Sequence, residues 1–292
     1  MKVVVTGSLG NISKPLTKEL IQQGHQVTVI SSSTDRQQDI EALGAVAAIG
    51  SLEDTGFLTT AFTGADAVYA MVPPNFAAED QIAYYSRIAE SYVTAIRNAG
   101  VKRVVHLSSY GAHRSEGTGF ILGSHYSEGI LRQLPDVAIT FLRPTFFFYN
   151  LYSFVDMIRH QGIMGAIYGG EDKIVMVHPT DIAAAAAEAL TSAGSGVQVR
   201  YVASDERTCN EIARVLGTAI GKPDLQWLLF TKEQAKAGME KAGLPPHVIS
   251  NLIDLGTSTH NGALREDFDK HQPAVWGKVK LEDFVKELAT AF

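Results

Sequence analysis

The chain has 292 residues, 46% of them hydrophobic and 19% charged, proportions that fit a compact folded protein and exclude a disordered or low-complexity one. A formal net charge of -6, with no Lys/Arg run longer than two residues, excludes the basic footprint that nucleic acid or an anionic membrane surface requires. Length alone predicts one large domain with a smaller appendage, or two domains sharing an interface.

The single cysteine, Cys209, has no internal partner and reads as a structural residue, and the chain runs straight into Val3-Val4-Val5 without a leader pattern. Both features point to the cytoplasm. The longest candidate for a membrane span, residues 182–190, is far short of the roughly 20 apolar residues needed and is interrupted by Glu188.

In chain order, a strand is predicted over residues 2–6, then a glycine turn, then a helix over 11–23. Ile12, Leu16 and Leu20 recur every four positions there, Pro15 sits in the first turn and Gly24 closes the helix. A strand at 26–30, a helix at 37–43, a strand at 45–49, a helix at 55–62 and a strand at 67–72 follow. The helix predicted over 81–99 aligns Ile82, Tyr85, Ala89, Tyr92, Val93 and Ile96 in one stripe and ends at Gly100. Next come a strand at 103–107, a helix at 125–133 and a strand at 138–142, making six strands by position 145. Such alternation predicts a parallel sheet buried on both faces.

Past Pro144 the pattern loosens. Gly162, Gly165, Gly169 and Gly170 mark an irregular stretch before a helix starting near Pro179 and Asp181, whose carboxylate suits a helix N-terminus. From about residue 204 the chain is helix-rich, with one short apolar run at 227–230 and a turn at Leu244-Pro245-Pro246. The expected fold is an α/β, doubly wound parallel Rossmann sheet with a smaller, helix-rich C-terminal substrate lobe. Its sheet domain would span 1–150 with a returning segment at about 174–203, and the lobe would take 151–173 and 204–292.

The run Thr6-Gly7-Ser8-Leu9-Gly10-Asn11-Ile12-Ser13 follows a predicted strand and opens a predicted helix, the context that gives a glycine pattern its meaning. Gly7 permits the tight turn, Gly10 lets a pyrophosphate approach the backbone, and exposed N–H groups at the helix start favour anionic oxygen. Ser13 stands where a third glycine is often found and is small enough for close packing. At the end of the second strand, Ser31, Ser32, Ser33, Thr34 and Arg36 replace the carboxylate that would hold a ribose 2′-hydroxyl. Hydroxyls and a guanidinium favour a 2′-phosphate, so NADP is expected over NAD, with Asp35 the one contrary residue.

With that turn, Pro73-Pro74 after the fourth strand, Ser108-Ser109 after the fifth and Leu142-Arg143-Pro144 after the sixth, the chain resembles the atypical short-chain dehydrogenases of the NmrA-like family. Asn150 after the aromatic run Phe146-Phe147-Phe148-Tyr149, Asp181, and the closing Leu281-Glu282-Asp283-Phe284 extend the likeness over essentially the whole length. The resemblance implies a Rossmann domain with a C-terminal substrate lobe, NADP binding, and membership among either quinone-type reductases or redox-sensing regulators. It would put Gly7, Gly10, Asn11 and Ile12 at the pyrophosphate, Ser31, Ser32 and Arg36 at the adenosine ribose, and Ser51 and Leu52 beside the adenine. Met71, Val72 and Pro73 would lie along the nicotinamide half, with Ser109 and Tyr110 at the mouth of the fifth strand.

Short-chain dehydrogenases usually carry Tyr-x-x-x-Lys on the helix after the fifth strand, where the Lys lowers the phenol pKa for proton transfer. None of the ten tyrosines has such a Lys; Phe120 and Ser124 fall at the expected positions, and neither can move a proton. Ser109, His125 and Tyr126 are the candidate catalytic substitutes. Pro74, Phe76, His113, Phe146, Phe148 and Asn150 are candidate substrate contacts, some of the aromatics being reserved for the core, and the histidines show no metal-ligand spacing. The leading expectation is an NADPH-dependent reductase of a quinone-like or other conjugated small acceptor, which can take its proton from water. The alternative is a non-catalytic NADP sensor acting through a protein partner; sugar-nucleotide epimerisation is disfavoured because it needs the missing Tyr.

Overall fold

Short runs rich in β-branched residues alternate with amphipathic helices through the first half of the chain, and each run can be buried only if helices cover both faces of its sheet. The computed structural model, which describes residues 1–292, shows that arrangement. In order come β1 (Lys2–Val5), α1 (Ser13–Gln22), β2 (Gln26–Ser31), α2 (Gln37–Ala42), β3 (Val46–Ile49), α3 (Thr55–Phe62) and β4 (Ala67–Met71). They are followed by α4 (Gln81–Ala99), β5 (Arg103–Leu107), α5 (Leu122–Leu131) and β6 (Ala138–Pro144).

The second half contains β7 (Phe146–Phe147), α6 (Val155–Gln161), β8 (Met164–Ala166), β9 (Lys173–Val177), α7 (Pro179–Thr191), β10 (Val197–Val202) and β11 (Asp205–Thr208). After these come α8 (Cys209–Ala219), β12 (Trp227–Leu229), α9 (Lys232–Lys241), α10 (Pro246–His260) and α11 (Leu281–Leu288). No helix is long and apolar enough to cross a membrane.

Contacts divide the chain into two units, one of Met1–Ala112, Gly123–Arg143 and Ile182–Arg200, the other of His113–Leu122, Pro144–Asp181 and Tyr201–Phe292. The seven-stranded sheet has the order β10-β6-β5-β4-β1-β2-β3. Its neighbours from β3 to β6 pair in parallel. Ile139 N donates to Gly196 O and Thr145 N to Val202 O, two bonds that advance in the same direction, so β10 is parallel too. This is the doubly wound Rossmann order, and the reversal between β1 and β4 opens a crevice at the carboxyl ends of the strands.

The first unit's core includes Val4, Val68, Val104, Ile139, Phe62, Tyr92 and Phe141. Helix α4 is held at both ends, by the Asp80 side chain accepting from Ala83 N and by left-handed Gly100. Its buried stripe is rotated from expectation: Tyr84 and Ile88 are buried, while Ile82 and Tyr85 are only partly covered. Tyr85 lies instead over Gly123, where a Cβ would come within 2.5 Å of its ring. That contact explains a glycine inside α5, which starts three residues earlier than the sequence suggests.

A polar network lies beneath the carboxyl ends of β5 and β6. Glu128 of α5 accepts from Ser108 Oγ at 2.5 Å and from Arg143 Nε and Nη2 at 2.9 and 2.8 Å, all three side chains being buried. The Ser108 and Arg143 of the sequence motifs are therefore partners in one scaffold.

His106 on β5 sits alongside, its Nε2 3.1 Å from Ser127 Oγ. Burial depresses its pKa to about 4 against the opposing Glu128 carboxylate. A histidine that stays neutral in the fold but protonates near 6.5 when unfolded stabilises the fold fully above that pH, and the contribution is lost as pH falls towards 4, about 3 kcal/mol in all. Thermal melts between pH 7 and 4.5 should show a steeper loss for the wild type than for His106→Gln, which keeps a polar group facing Ser127. Parallel slopes would refute it.

In the second unit β11 pairs antiparallel and β7 parallel with β9, and β12 pairs parallel with β8. Phe148, Phe154, Met164, Leu216, Trp227 and Phe284 build its core. Asp181 near the start of α7 accepts from Ser204 Oγ and from the backbone N of Lys278 and Val279. Its role is to fasten the chain ahead of α11. Cys209 is buried at the first turn of α8, and burial pushes its thiol pKa far up, away from reactivity.

Several elements differ from expectation. The stretch expected to be irregular holds β7, β8 and β9, strands of two to five residues that are too short to show a periodicity. Strand β10, an edge strand whose first half is exposed and so lacks a hydrophobic run, completes the sheet. The returning segment is 182–200 rather than about 174–203, because β9 belongs to the second unit. Helix α1 begins at Ser13, two residues late.

Candidate functional site

The turn after β1 is fixed by its own backbone. Thr6 N donates to Tyr69 O, Thr6 Oγ1 accepts from Met71 N, and Ser8 N donates to Ile30 O. Gly7 has φ +89°, and a Cβ there would fall 2.7 Å from Ser13 Oγ and 3.0 Å from the Met71 side chain. Ser13, in the third-glycine position, donates to Thr6 O at 2.8 Å. The substitution thus adds a hydrogen bond between strand and helix without opening the packing.

Gly10 differs from Gly7. A Cβ on Gly10 would come tightly against the Gly7 carbonyl, at 3.2 Å, and within 4 Å of nothing else, so apart from that carbonyl the space in front of it is open. The position capping α1 is Ile12, which supplies no side-chain acceptor, and the helix has no acidic residue in its first turn. Ile12 is buried and contributes backbone only, while Asn11 is exposed. A bare helix N-terminus behind an open glycine is a cradle for anionic oxygen.

At the end of β2, Ser31 departs from the expected role of ribose contact. It is 3% exposed, and its hydroxyl is used internally, by Ser8 Oγ, Ser33 N and Ser33 O. Ser32 and Arg36 are exposed, and the Arg36 guanidinium lies 3.7 Å from Asp39. After β3, Ser51 Oγ accepts from Glu53 N, and Asp54 caps α3 by accepting from Phe57 N. Ser51 is exposed and Leu52 packs on the edge of the core.

Beyond β4 the backbone of Met71, Val72 and Pro73 is pinned from α4. Tyr92 donates to Met71 O at 2.6 Å and Tyr84 to Pro73 O at 3.0 Å. Burial raises both phenol pKa values, most strongly for Tyr92. Tyr92 was legible only as a core residue; that its hydroxyl aims at a strand end depends on the rotation of α4. Pro74 and Phe76 follow as exposed residues, Phe76 at 58%.

In the loop after β5, Ser109 Oγ donates to Tyr110 O, and Gly111 adopts φ +88°. His125 of α5 approaches Ala112 O at 2.9 Å through Nδ1. A carbonyl only accepts, so Nδ1 carries the proton and Nε2 is left as the basic nitrogen of the neutral ring. Tyr126 meets the His125 ring edge-on at 5.3 Å and is 41% exposed. Phe120 lies in the 3-10 turn before α5 and Ser124 is buried within it, so no phenol–ammonium pair forms on this helix.

The remaining candidates lie in the second unit. His113 stands 4.0 Å from Glu266, which also pairs with Arg114. Phe146 is opposite Met176 in the β7–β9 pairing, and the Asn150 carbonyl accepts from Ser153 Oγ. Phe148 is fully buried and stacked on Phe284 at 5.3 Å, which makes it a core residue.

The sequence profile of the NmrA-like family matches residues 1–253. The chain belongs to the NmrA-like family. Among curated relatives of this NmrA-like protein, the NAD(P)H azoreductase of Xenophilus azovorans is 28% identical over 256 residues, covering 87% of this chain and 85% of the other. Among solved structures, an Escherichia coli NADPH-dependent quinone oxidoreductase in complex with NADPH superposes with TM-score 0.85 at 21% identity, covering 98% and 99% of the two chains. A Citrobacter sp. triphenylmethane reductase complexed with NADP(H) gives 0.82 at 20% identity, covering 99% and 100%. At such identities the two structures establish the fold alone.

Proposed function

We propose that this NmrA-like protein binds NADP(H) and is an NADPH-dependent reductase of quinone-like, azo or other conjugated small acceptors. The observation that carries the reading is the bare N-terminus of α1 behind the open face of Gly10, a cradle that fits a pyrophosphate. The names of its relatives, an NAD(P)H azoreductase and an NADPH-dependent quinone oxidoreductase, support the same chemistry. The backbone N–H groups of Asn11 and Ile12 would hold the pyrophosphate beside Gly10, whose own N–H donates to Gly7 O; Ser32 and Arg36 would hold the 2′-phosphate, Ser51 and Leu52 the adenine, and the pinned segment from Met71 to Pro73 the nicotinamide half.

Bound NADPH supplies a hydride equivalent. The protein's own residues orient: Tyr84 and Tyr92 fix the backbone after β4, and Ser109 and His125 are held by the loop after β5. Pro74 and Phe76 offer an apolar surface suited to a planar acceptor. His125, whose Nδ1–H is committed to Ala112 O and whose Nε2 can accept a proton, and the neighbouring Tyr126, whose hydroxyl can donate one, are the proton-exchanging side chains beside that loop. Conjugated acceptors protonate from water, so the reaction tolerates the missing Tyr and Lys. The buried thiol of Cys209 suits the reducing cytoplasm.

The test is purified protein mixed with NADPH and a panel of quinones, azo dyes, triphenylmethane dyes and enals, followed by absorbance of the reduced nicotinamide. Oxidation with at least one acceptor is expected. Tight NADPH binding with no turnover on any of them overturns the reductase reading. The absent Tyr-x-x-x-Lys would then favour the second reading, an NADP-binding sensor that signals through a protein partner.

A further inference from the structure

Ser31 is the first residue at which sequence and structure disagree about the cofactor loop, and its hydroxyl is saturated. A serine hydroxyl can donate once and accept twice. Ser31 Oγ accepts from Ser8 Oγ at 3.0 Å and from Ser33 N at 3.2 Å, and donates to Ser33 O at 3.3 Å. While these bonds persist nothing of it is left for a ligand; Ser31 itself is buried, although its partners Ser8 and Ser33 reach the surface. Ser8 reaches it from inside the glycine turn, where its φ of +53° is a conformation that side-chain-bearing residues seldom hold. On the other side Ser33 Oγ accepts from Asp35 N and caps the 3-10 turn Thr34–Arg36.

One chain of hydrogen bonds, passing through the Ser33 backbone, thus runs from the glycine turn, through the end of β2, to the turn that presents Arg36. We infer that Ser8 and Ser31 are positioning residues: they lock the Ser32 to Arg36 loop to the glycine turn and thereby set the preference for NADP over NAD without touching the nucleotide. The inference rests on the dinucleotide reading above. Removing the Ser31 hydroxyl releases both ends of the relay. The loop then presents Ser32 and Arg36 less well to a 2′-phosphate, whereas a nucleotide lacking that phosphate loses little.

The experiment is a fluorescence titration of the full chain with NADPH and NADH, comparing wild type, Ser31→Ala, Ser31→Thr and Ser8→Ala. Wild type should bind NADPH more tightly than NADH. Ser31→Ala should cut that preference roughly 5-fold, almost entirely through NADPH, the effect of losing one or two modest hydrogen bonds. Ser8→Ala should reduce it by about half as much on a logarithmic scale. Ser31→Thr keeps the hydroxyl on a strand that accepts β-branching and should restore the wild-type preference.

Equal weakening of both nucleotides in Ser31→Ala, or a Thr variant no better than Ala, would make the relay plain scaffold and overturn the inference. So would a wild-type preference for NADH. A wild type that binds neither nucleotide overturns the dinucleotide reading itself, and Circular dichroism of each variant separates these results from misfolding.

Discussion

Gly10→Val is expected to raise the Kd for NADPH at least 100-fold, about 2.7 kcal/mol, while leaving a folded protein. Gly10 does not share the positive φ of Gly7, so a side chain there avoids the left-handed strain that Gly7 would impose. Its Cβ would come 3.2 Å from the Gly7 carbonyl, tight enough to require a shift of a few tenths of an ångström, and within 4 Å of no side chain. The branched methyls must instead project into the space where the pyrophosphate would meet the helix N-terminus. Gly7→Val is the contrasting variant, because φ +89° and the Ser13 and Met71 contacts make it destabilising as well. Titration with NADPH, alongside melting curves for both variants, checks the prediction; undiminished binding by Gly10→Val would mean that the phosphates lie elsewhere.

Arg143→Met should lower the melting temperature by roughly 10 °C, the equivalent of about 3–5 kcal/mol for a buried charge stripped of its partner. Glu128 is buried and receives two hydrogen bonds from Arg143, one from Ser108 and a longer one from the half-exposed Arg132 at 3.4 Å. Arg132 lies over the Phe141 ring and compensates only in part. Methionine fills much of the arginine volume, so the loss reports the abandoned carboxylate and not a cavity. Glu128→Leu combined with Arg143→Met should recover part of the loss, since neither charge is then left unpaired. A single variant that melts within 2 °C of wild type, well under the cost of an orphaned buried charge, would show that the pair contributes little.

The amino-acid sequence by itself determined the alternation of strands and helices, because hydrophobic periodicity and glycine stops are local properties. Helices α3 and α4 and strand β5 lie where that periodicity places them. It also determined the glycine turn, where spacing relative to a strand and a helix carries the meaning. The missing Tyr-x-x-x-Lys is likewise a matter of reading residues.

What only the tertiary structure decided depends on contacts between residues distant in the chain. The two- to five-residue strands β7, β8 and β9 exist through their pairing partners and carry too few side chains to show a period. The orientation of α4 that aims Tyr84 and Tyr92 at the end of β4 is set by packing against the sheet, to which an isolated heptad is indifferent. Ser31 reads as a ligand contact from its position after β2; its burial and its bond to Ser8, 23 residues earlier, turn it inward. The glycine turn was therefore legible at Gly7 and Gly10, whereas the hydrogen bonds between that turn and the loop after β2 became visible only when the two strand ends were brought side by side.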